Sequence, residues 1–184
     1  MTRLLVLDCE TGGLNPETDA LLTVGLVDWS DGAVLRQSEI LVDAEGLECH
    51  PRALEVNGID LTAHHAYSVP RAYAAKQIQD FCRPMGRAWI TGHNAQFDIG
   101  FIRRLFTPEA LRATFSHRVV DTLQILAFLE HAGLIPPGIA KLDQAMTYFG
   151  ISMPEGKRHT ALADALVTAE LYSRLLGTVQ KVAV

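Results

Sequence analysis

Five residues pair acid–base or metal-ligating chemistry with a spacing that favours convergence: Asp8, Glu10, Asp98, His159 and Asp164. Asp8 and Glu10 are two apart, and on a strand residues i and i+2 point to the same face, so both carboxylates project together. They follow the apolar run Leu4-Leu5-Val6-Leu7, where a strand ends and where sites in α/β sheets form. Asp98 falls in the first turns of a helix predicted after His93-Asn94. His159 and Asp164 open the last helical stretch; on one continuous helix they would lie about 140° apart. They converge only if His159 precedes the helix and Thr160 caps it. Singly, each residue has a structural explanation: turn capping for Asp8 and Glu10, compensation of the helix dipole for Asp98, solvated surface for His159 and Asp164.

Jointly they ask for more. Each acid sits at a strand end or a helix start, positions that tertiary folding readily brings together. Carboxylates at ~4 Å repel by several kcal/mol per pair at an effective dielectric of about 20, so such a cluster needs a compensating charge. Oxygen-only donors suit Mg²⁺ or Mn²⁺. Two such cations about 4 Å apart stabilise both the attacking and the leaving oxygen of a phosphodiester.

The elements that must position these residues can be read from the pattern. Leu4 to Leu7 reads as a strand buried on both faces. Leu21 to Trp29 and Val34 to Val42 read as two more strands, joined by the hairpin signal Asp31-Gly32. Helices are expected over Pro51–Val56, stopped by Asn57-Gly58, and from Ser68-Val69-Pro70 to about Phe81. Ala88 to Thr91 is a short strand, followed by a helix with Phe97, Phe101 and Leu105 on one face. Val119-Val120 is a last short strand and Asp121 the N-cap of a helix through Glu130. Gly133 to Gly138 is a loop, Lys141 to Phe149 a short helix, and Thr160 to Leu176 a longer one with Gly177 as its C′ residue. The order is α/β: an antiparallel start joined to parallel strands in one mixed sheet flanked by helices. No repeat or linker breaks the chain, so residues 1–184 are expected to form one domain.

Composition bounds the partners. With 184 residues, 48% hydrophobic and 20% charged, the chain has ordinary globular composition, which excludes disorder, collagen and coiled coil. Lys and Arg number 16 against 21 Asp and Glu, a net charge of −5 that argues against a broad basic face gripping duplex nucleic acid. Cys9, Cys49 and Cys82 are an odd number without metal-type spacing, which points to a reducing compartment. The apolar start is too short for a signal peptide, and no window approaches a membrane span, so a cytoplasmic protein with no membrane partner is expected. Cys9 alternates away from Asp8 and Glu10 and reads as a core thiol. His50, His64, His65, His117 and His131 have no spacing that calls for a metal and receive no role.

Three segments together resemble the DnaQ-like (DEDDh) 3′–5′ exonucleases, the group that includes the proofreading epsilon subunit of bacterial DNA polymerase III. They are Leu7-Asp8-x-Glu10-Thr11-x-Gly13-Leu14, His93-Asn94-x-x-Phe97-Asp98, and His159-x-Ala161-Leu162-x-Asp164-Ala165. Asn57-Gly58-Ile59 and Asp121-Thr122-Leu123 are similar to further family segments, and the likeness runs from Arg3 to about Leu176. The resemblance implies a ribonuclease H-like fold and metal-dependent hydrolysis from a 3′ end, single-stranded DNA favoured, releasing nucleoside 5′-monophosphates. It implies two divalent cations, Mg²⁺ or Mn²⁺, held by Asp8, Glu10, Asp98 and Asp164, with His159 as general base. Thr11 and Leu14 would contact the terminal nucleotide, and His93, Asn94 and Arg158 are further candidates for substrate binding. The sister group carries Tyr four residues before the last Asp, a position held here by Thr160. Work in DNA repair or replication follows from the likeness, and so does association with a polymerase. Only Gly177 to Val184 follow the expected last helix, and they supply no tail for that association.

Alternatives share the site but not the chemistry. An exoribonuclease of the same fold would differ in how it lines the 2′-hydroxyl position. A non-catalytic nucleic-acid-binding module would be expected to have lost a ligand. A phosphohydrolase of small esters would ignore polymer length. The sequence leaves oligomeric state open.

Overall fold

The strand that begins at Leu4 lies at the centre of a five-stranded sheet of order β3-β2-β1-β4-β5. The structure is a computed structural model and describes residues 3–153 and 160–182. The strands are β1 (Arg3–Thr11), β2 (Leu21–Ser30), β3 (Ala33–Leu41), β4 (Ala88–Gly92) and β5 (Phe115–Asp121). β1, β2 and β3 pair antiparallel, while β4 is parallel to both β1 and β5. This is the expected mixed sheet. The β2–β3 turn is Asp31-Gly32, and both residues take positive φ (51° and 87°), the twist a two-residue hairpin requires.

The helices are α1 (Pro51–Asn57), α2 (Leu61–Tyr67), α3 (Arg71–Cys82), α4 (Ala95–Ile102), α5 (Pro108–Thr114), α6 (Thr122–His131), α7 (Leu142–Phe149) and α8 (Ala161–Val182). Alternation along β1 divides them into two layers. Leu5, Leu7 and Cys9 pack with Ile78 of α3 and with Phe101 and Ile102 of α4. Leu4 and Val6 meet Ala165 and Ala169 of α8, whose small side chains let the helix lie close to the strands. On its outer side α8 gives Leu171 and Leu175 to a third cluster with Leu126 and Leu129 of α6 and Ala145 of α7. Among the described residues, no helix is long and apolar enough to cross a membrane.

The structure departs from the sequence reading at four places. Two additional short helices appear: α2, whose N-cap Asp60 accepts from Thr62 N and Ala63 N, and α5, capped by Thr107 with Pro108 at its start. The strand expected only at Val119-Val120 extends from Phe115 to Asp121 as an edge strand with exposed central residues. The last helix does not stop at Gly177 but continues to Val182. Gly177 has open space around it, and a helical glycine facing solvent costs only about 1 kcal/mol against alanine, too little to end an otherwise regular helix.

Candidate active site

β1 and β4 pair only at Leu5–Ile90 and Val6–Thr91, so the last residues of β1 run on without a partner on that side. The first turn of α4 fills the gap. Asn94 takes a left-handed backbone (φ 66°) to enter the helix, and Asp98 follows within its first turn. Asp98 is only 3% exposed. Burial drives its carboxyl up to about 7, against hydrogen bonds from the backbone and from the Cys9 thiol that favour the anion. Cys9 is thus the core residue its alternation suggests, and also a donor to the site. Burial, and after it the same carboxylate, push its own thiol well above the usual range.

On the opposite layer, α8 delivers Asp164. Thr160 caps this helix as anticipated: its Oγ1 accepts from Ala163 N at 3.2 Å and its carbonyl from Asp164 N at 3.0 Å. Leu162 N donates to Glu39 Oε1 of β3 at 3.3 Å, so a carboxylate compensates the helix N-terminus. The helix crosses β2 at Gly25, where a Cβ would overlap the Ala161 carbonyl and Leu162 N. Gly25 pairs with Asp8 in the β1–β2 ladder.

Asp8, Glu10 and Asp164 therefore meet, each with an oxygen within 4.8 Å of the others. Asp98 is near enough to be the leading charge acting on Asp8 after desolvation, ahead of Asp164 and Glu10. Burial and these neighbours hold Asp8 far above the ordinary carboxylate range. Desolvation, then Asp164, Asp98 and Glu39, push Glu10 up to about 8. Anions forced together out of water, with oxygen donors only, form a set that hard divalent cations satisfy. Asp8, Glu10 and Asp164 thus converge, and Asp98 lies near enough to act as a charge on Asp8 and Glu10. His159 and Arg158 lie outside the described residues.

Glu10 and Thr11 also open onto a cavity of about 710 Å³. Its apolar wall includes Leu14, Val56 of α1 and Phe97 of α4, with Leu14 84% exposed. Thr11 is buried and its hydroxyl donates to Gly13 O at 2.6 Å. Asn57 closes the floor: its Nδ2 donates to Thr11 O at 3.1 Å and its Oδ1 accepts from Ile59 N at 3.1 Å. Thr11 and Leu14, the two residues expected to contact the terminal nucleotide, both line this cavity. His93 and Asn94, the further candidates for substrate binding, also make contacts within the fold. His93 Nδ1 lies 3.0 Å from Thr122 Oγ1, and Asn94 N donates to Asp121 Oδ1 at 3.0 Å, so both brace the β5–α6 junction. Burial lowers the His93 pKa, with Asp121 and the Ala140 backbone opposing.

The sequence reading missed Glu39, Gly25, His50 and the cavity wall on α1. Glu39 is separated from the motifs by most of a hairpin, and only strand pairing reveals it.

The RNase T family model of exonucleases matches residues 5–172. Ribonuclease T of Yersinia enterocolitica is 32% identical over 191 residues, covering 96% of this chain and 86% of that protein. Ribonuclease T of Shewanella frigidimarina is 31% identical over 187 residues, covering 94% and 81%. A PolC-type DNA polymerase III of Thermotoga petrophila is 26% identical over 180 residues, 98% of this chain but 12% of the polymerase. Among solved structures, E. coli exonuclease I with a dT13 oligonucleotide superposes with a TM-score of 0.78 at 20% identity, over 96% of this chain and 41% of that one. Exonuclease X with 5′-overhanging duplex DNA superposes with a TM-score of 0.66 at 23% identity, over 95% and 92%. This chain thus spans about two fifths of exonuclease I, and these likenesses establish the ribonuclease H-like fold. The chain belongs to the exonuclease family: it is a 3′–5′ exonuclease, a phosphodiester hydrolase.

Proposed function

We propose that this protein removes nucleotides from a single-stranded 3′ end, DNA favoured, using two Mg²⁺ or Mn²⁺ ions held by Asp8, Glu10, Asp98 and Asp164. The observation that carries the reading is the convergence of Asp8, Glu10 and Asp164 within 4.8 Å beside the buried Asp98. Held by these acids, divalent cations would offset their charge and would supply stabilisation to the attacking and leaving oxygens. The protein's own groups do the rest. Leu14, Val56 and Phe97 give the terminal base an apolar seat in the cavity, and Thr11 and Asn57 fix its floor. His159 takes the proton of the attacking water, an exchange suited to an imidazole that titrates near neutrality. Arg158 offsets charge on the scissile phosphate. Water oxygen bonds to phosphorus, the bond to the leaving 3′ oxygen breaks, and a nucleoside 5′-monophosphate departs.

RNA is the second reading, favoured by the two relatives named Ribonuclease T. Digestion of matched 5′-labelled DNA and RNA strands, single and duplex, with Mg²⁺ or Mn²⁺ tests both. A descending ladder is expected with the wild type and not with Asp8→Ala. Equal silence of both proteins on every strand would overturn the reading.

A further inference from the structure

On the wall of the cavity that Glu10 also lines stands His50, which the catalytic reading leaves without a task. Its ring is held by Nε2, 3.3 Å from Asp19 Oδ1 and 3.5 Å from Glu48 Oε2. Asp19 is a built partner. It is 4% exposed and also accepts from Asn15 N at 2.8 Å and Thr18 Oγ1 at 2.7 Å. An ionised carboxylate only accepts, so Nε2 carries the proton and Nδ1 is the atom left to offer. His50 occupies the N-cap position of α1 yet makes no capping hydrogen bond, so Nδ1 is not spent on the helix. No other described residue hydrogen-bonds it.

The ring is also not needed to fasten its own loop. Gly12 N donates to Ala20 O at 2.7 Å, Ala20 N to Glu48 O at 2.9 Å, Glu48 N to Thr18 O at 3.0 Å and His50 N to Gly12 O at 2.7 Å. The first closes residues 12–20 on themselves and the other three already tie them to residues 48–50. Gly13 completes the device, because a Cβ there would overlap both the Asp19 carboxylate and the His50 ring. The ring stands half-exposed on the wall of the same cavity as Leu14 and Phe97, apolar surfaces suited to a base.

We propose that His50 is a substrate-binding residue whose Nδ1 hydrogen-bonds the base of the nucleotide in this cavity, with Asp19 as the positioning residue that orients the ring. This rests on the nuclease reading of the neighbouring carboxylates. The test is calorimetric titration of the wild type, His50→Ala and His50→Gln in Mg²⁺, with a nucleoside 5′-monophosphate and with deoxyribose 5-phosphate. His50→Ala is expected to weaken the nucleotide about fivefold, the worth of one net hydrogen bond. The base-free sugar phosphate should bind all three proteins alike, and His50→Gln should recover part of the loss. Equal nucleotide affinity in wild type and His50→Ala, or an equal loss on the sugar phosphate, would overturn the assignment. Strand cleavage by the wild type reports separately on the nuclease reading, so the two failures are told apart.

Discussion

Gly25 sits directly across the β1–β2 ladder from Asp8, and α8 starts over the very spot a side chain would occupy. The absence of one Cβ therefore sets how closely Asp164 approaches Asp8. Gly25→Val should lift the first turn of α8, costing about 1–3 kcal/mol of stability by overpacking. The larger effect should fall on the chemistry, because a displacement of about 1 Å among positioned groups costs on the order of 100-fold in rate. Chemical denaturation and single-turnover cleavage of the same preparation check the two together. Full activity in Gly25→Val would show that the helix need not touch the sheet there.

The raised acids make stability depend on pH in a direction opposite to that of an ordinary paired carboxylate. Glu10 moves from 4.5 to about 8 and Asp98 from 3.8 to about 7. Between the unfolded and folded values the folded state holds protons that the unfolded chain has released, so stability falls as pH rises through this window. In EDTA the melting temperature should drop steadily from pH 5 to pH 8. Adding Mg²⁺ or Mn²⁺ displaces those protons, so the metal-induced rise in melting temperature should grow with pH and the half-saturating metal concentration should fall. A metal-free protein equally stable at both ends of that range would remove the electrostatic cost assigned to the cluster.

Asp121 acts at a distance from the reacting groups. Its Oδ1 accepts from Asn94 N and Leu123 N at 3.0 Å each, and its Oδ2 from Ala95 N at 3.0 Å, so one carboxylate fixes the starts of both α4 and α6. Because α4 carries Asp98, loss of this cap should loosen a candidate metal ligand without removing it. Asp121→Ala should cost about 1–2 kcal/mol of stability and weaken metal binding, while Asp121→Asn, which keeps an acceptor, should recover part of both. Melting curves with and without Mn²⁺ distinguish this from a change in stability alone.

How much of this was legible depended on whether a signal was local. The Asp121 cap, the Asp31-Gly32 hairpin, the Asn57-Gly58 stop and the Thr160 cap are each written in adjacent residues, and each stands where the pattern placed it. The start of α5 was equally local, since Thr107-Pro108 is an N-cap followed by proline, but its seven residues lack an apolar period long enough to announce a helix. The pattern shows only the end of β5 because edge residues such as His117 and Arg118 face solvent and break the alternation. Gly177 points the other way: a solvent-facing glycine costs too little to stop an otherwise regular helix. Within the site, the acids were recognisable as motifs. Gly25, Glu39 and His50 were not, because each matters only through a residue that the chain brings to it from far away in sequence.

At Asp8 stability and function oppose each other at a single atom. Asp8 is held far above its ordinary range by desolvation and by Asp98, Asp164 and Glu10. Asp8→Asn removes the cost of either burying that charge or taking up a proton there, while keeping nearly the same shape. In EDTA at pH 8 the variant should be more stable than the wild type by on the order of 2 kcal/mol, the scale of one relieved close repulsion. In Mn²⁺ the order should reverse, since the wild type gains binding energy that the amide forgoes. Cleavage should fall by about 1,000-fold or more, as expected when a group that organises transition-state charge is lost. A residue kept for the fold would give the opposite pattern, a variant less stable than the wild type with and without metal. Paired melting curves of the two proteins, in EDTA and in Mn²⁺, decide between them.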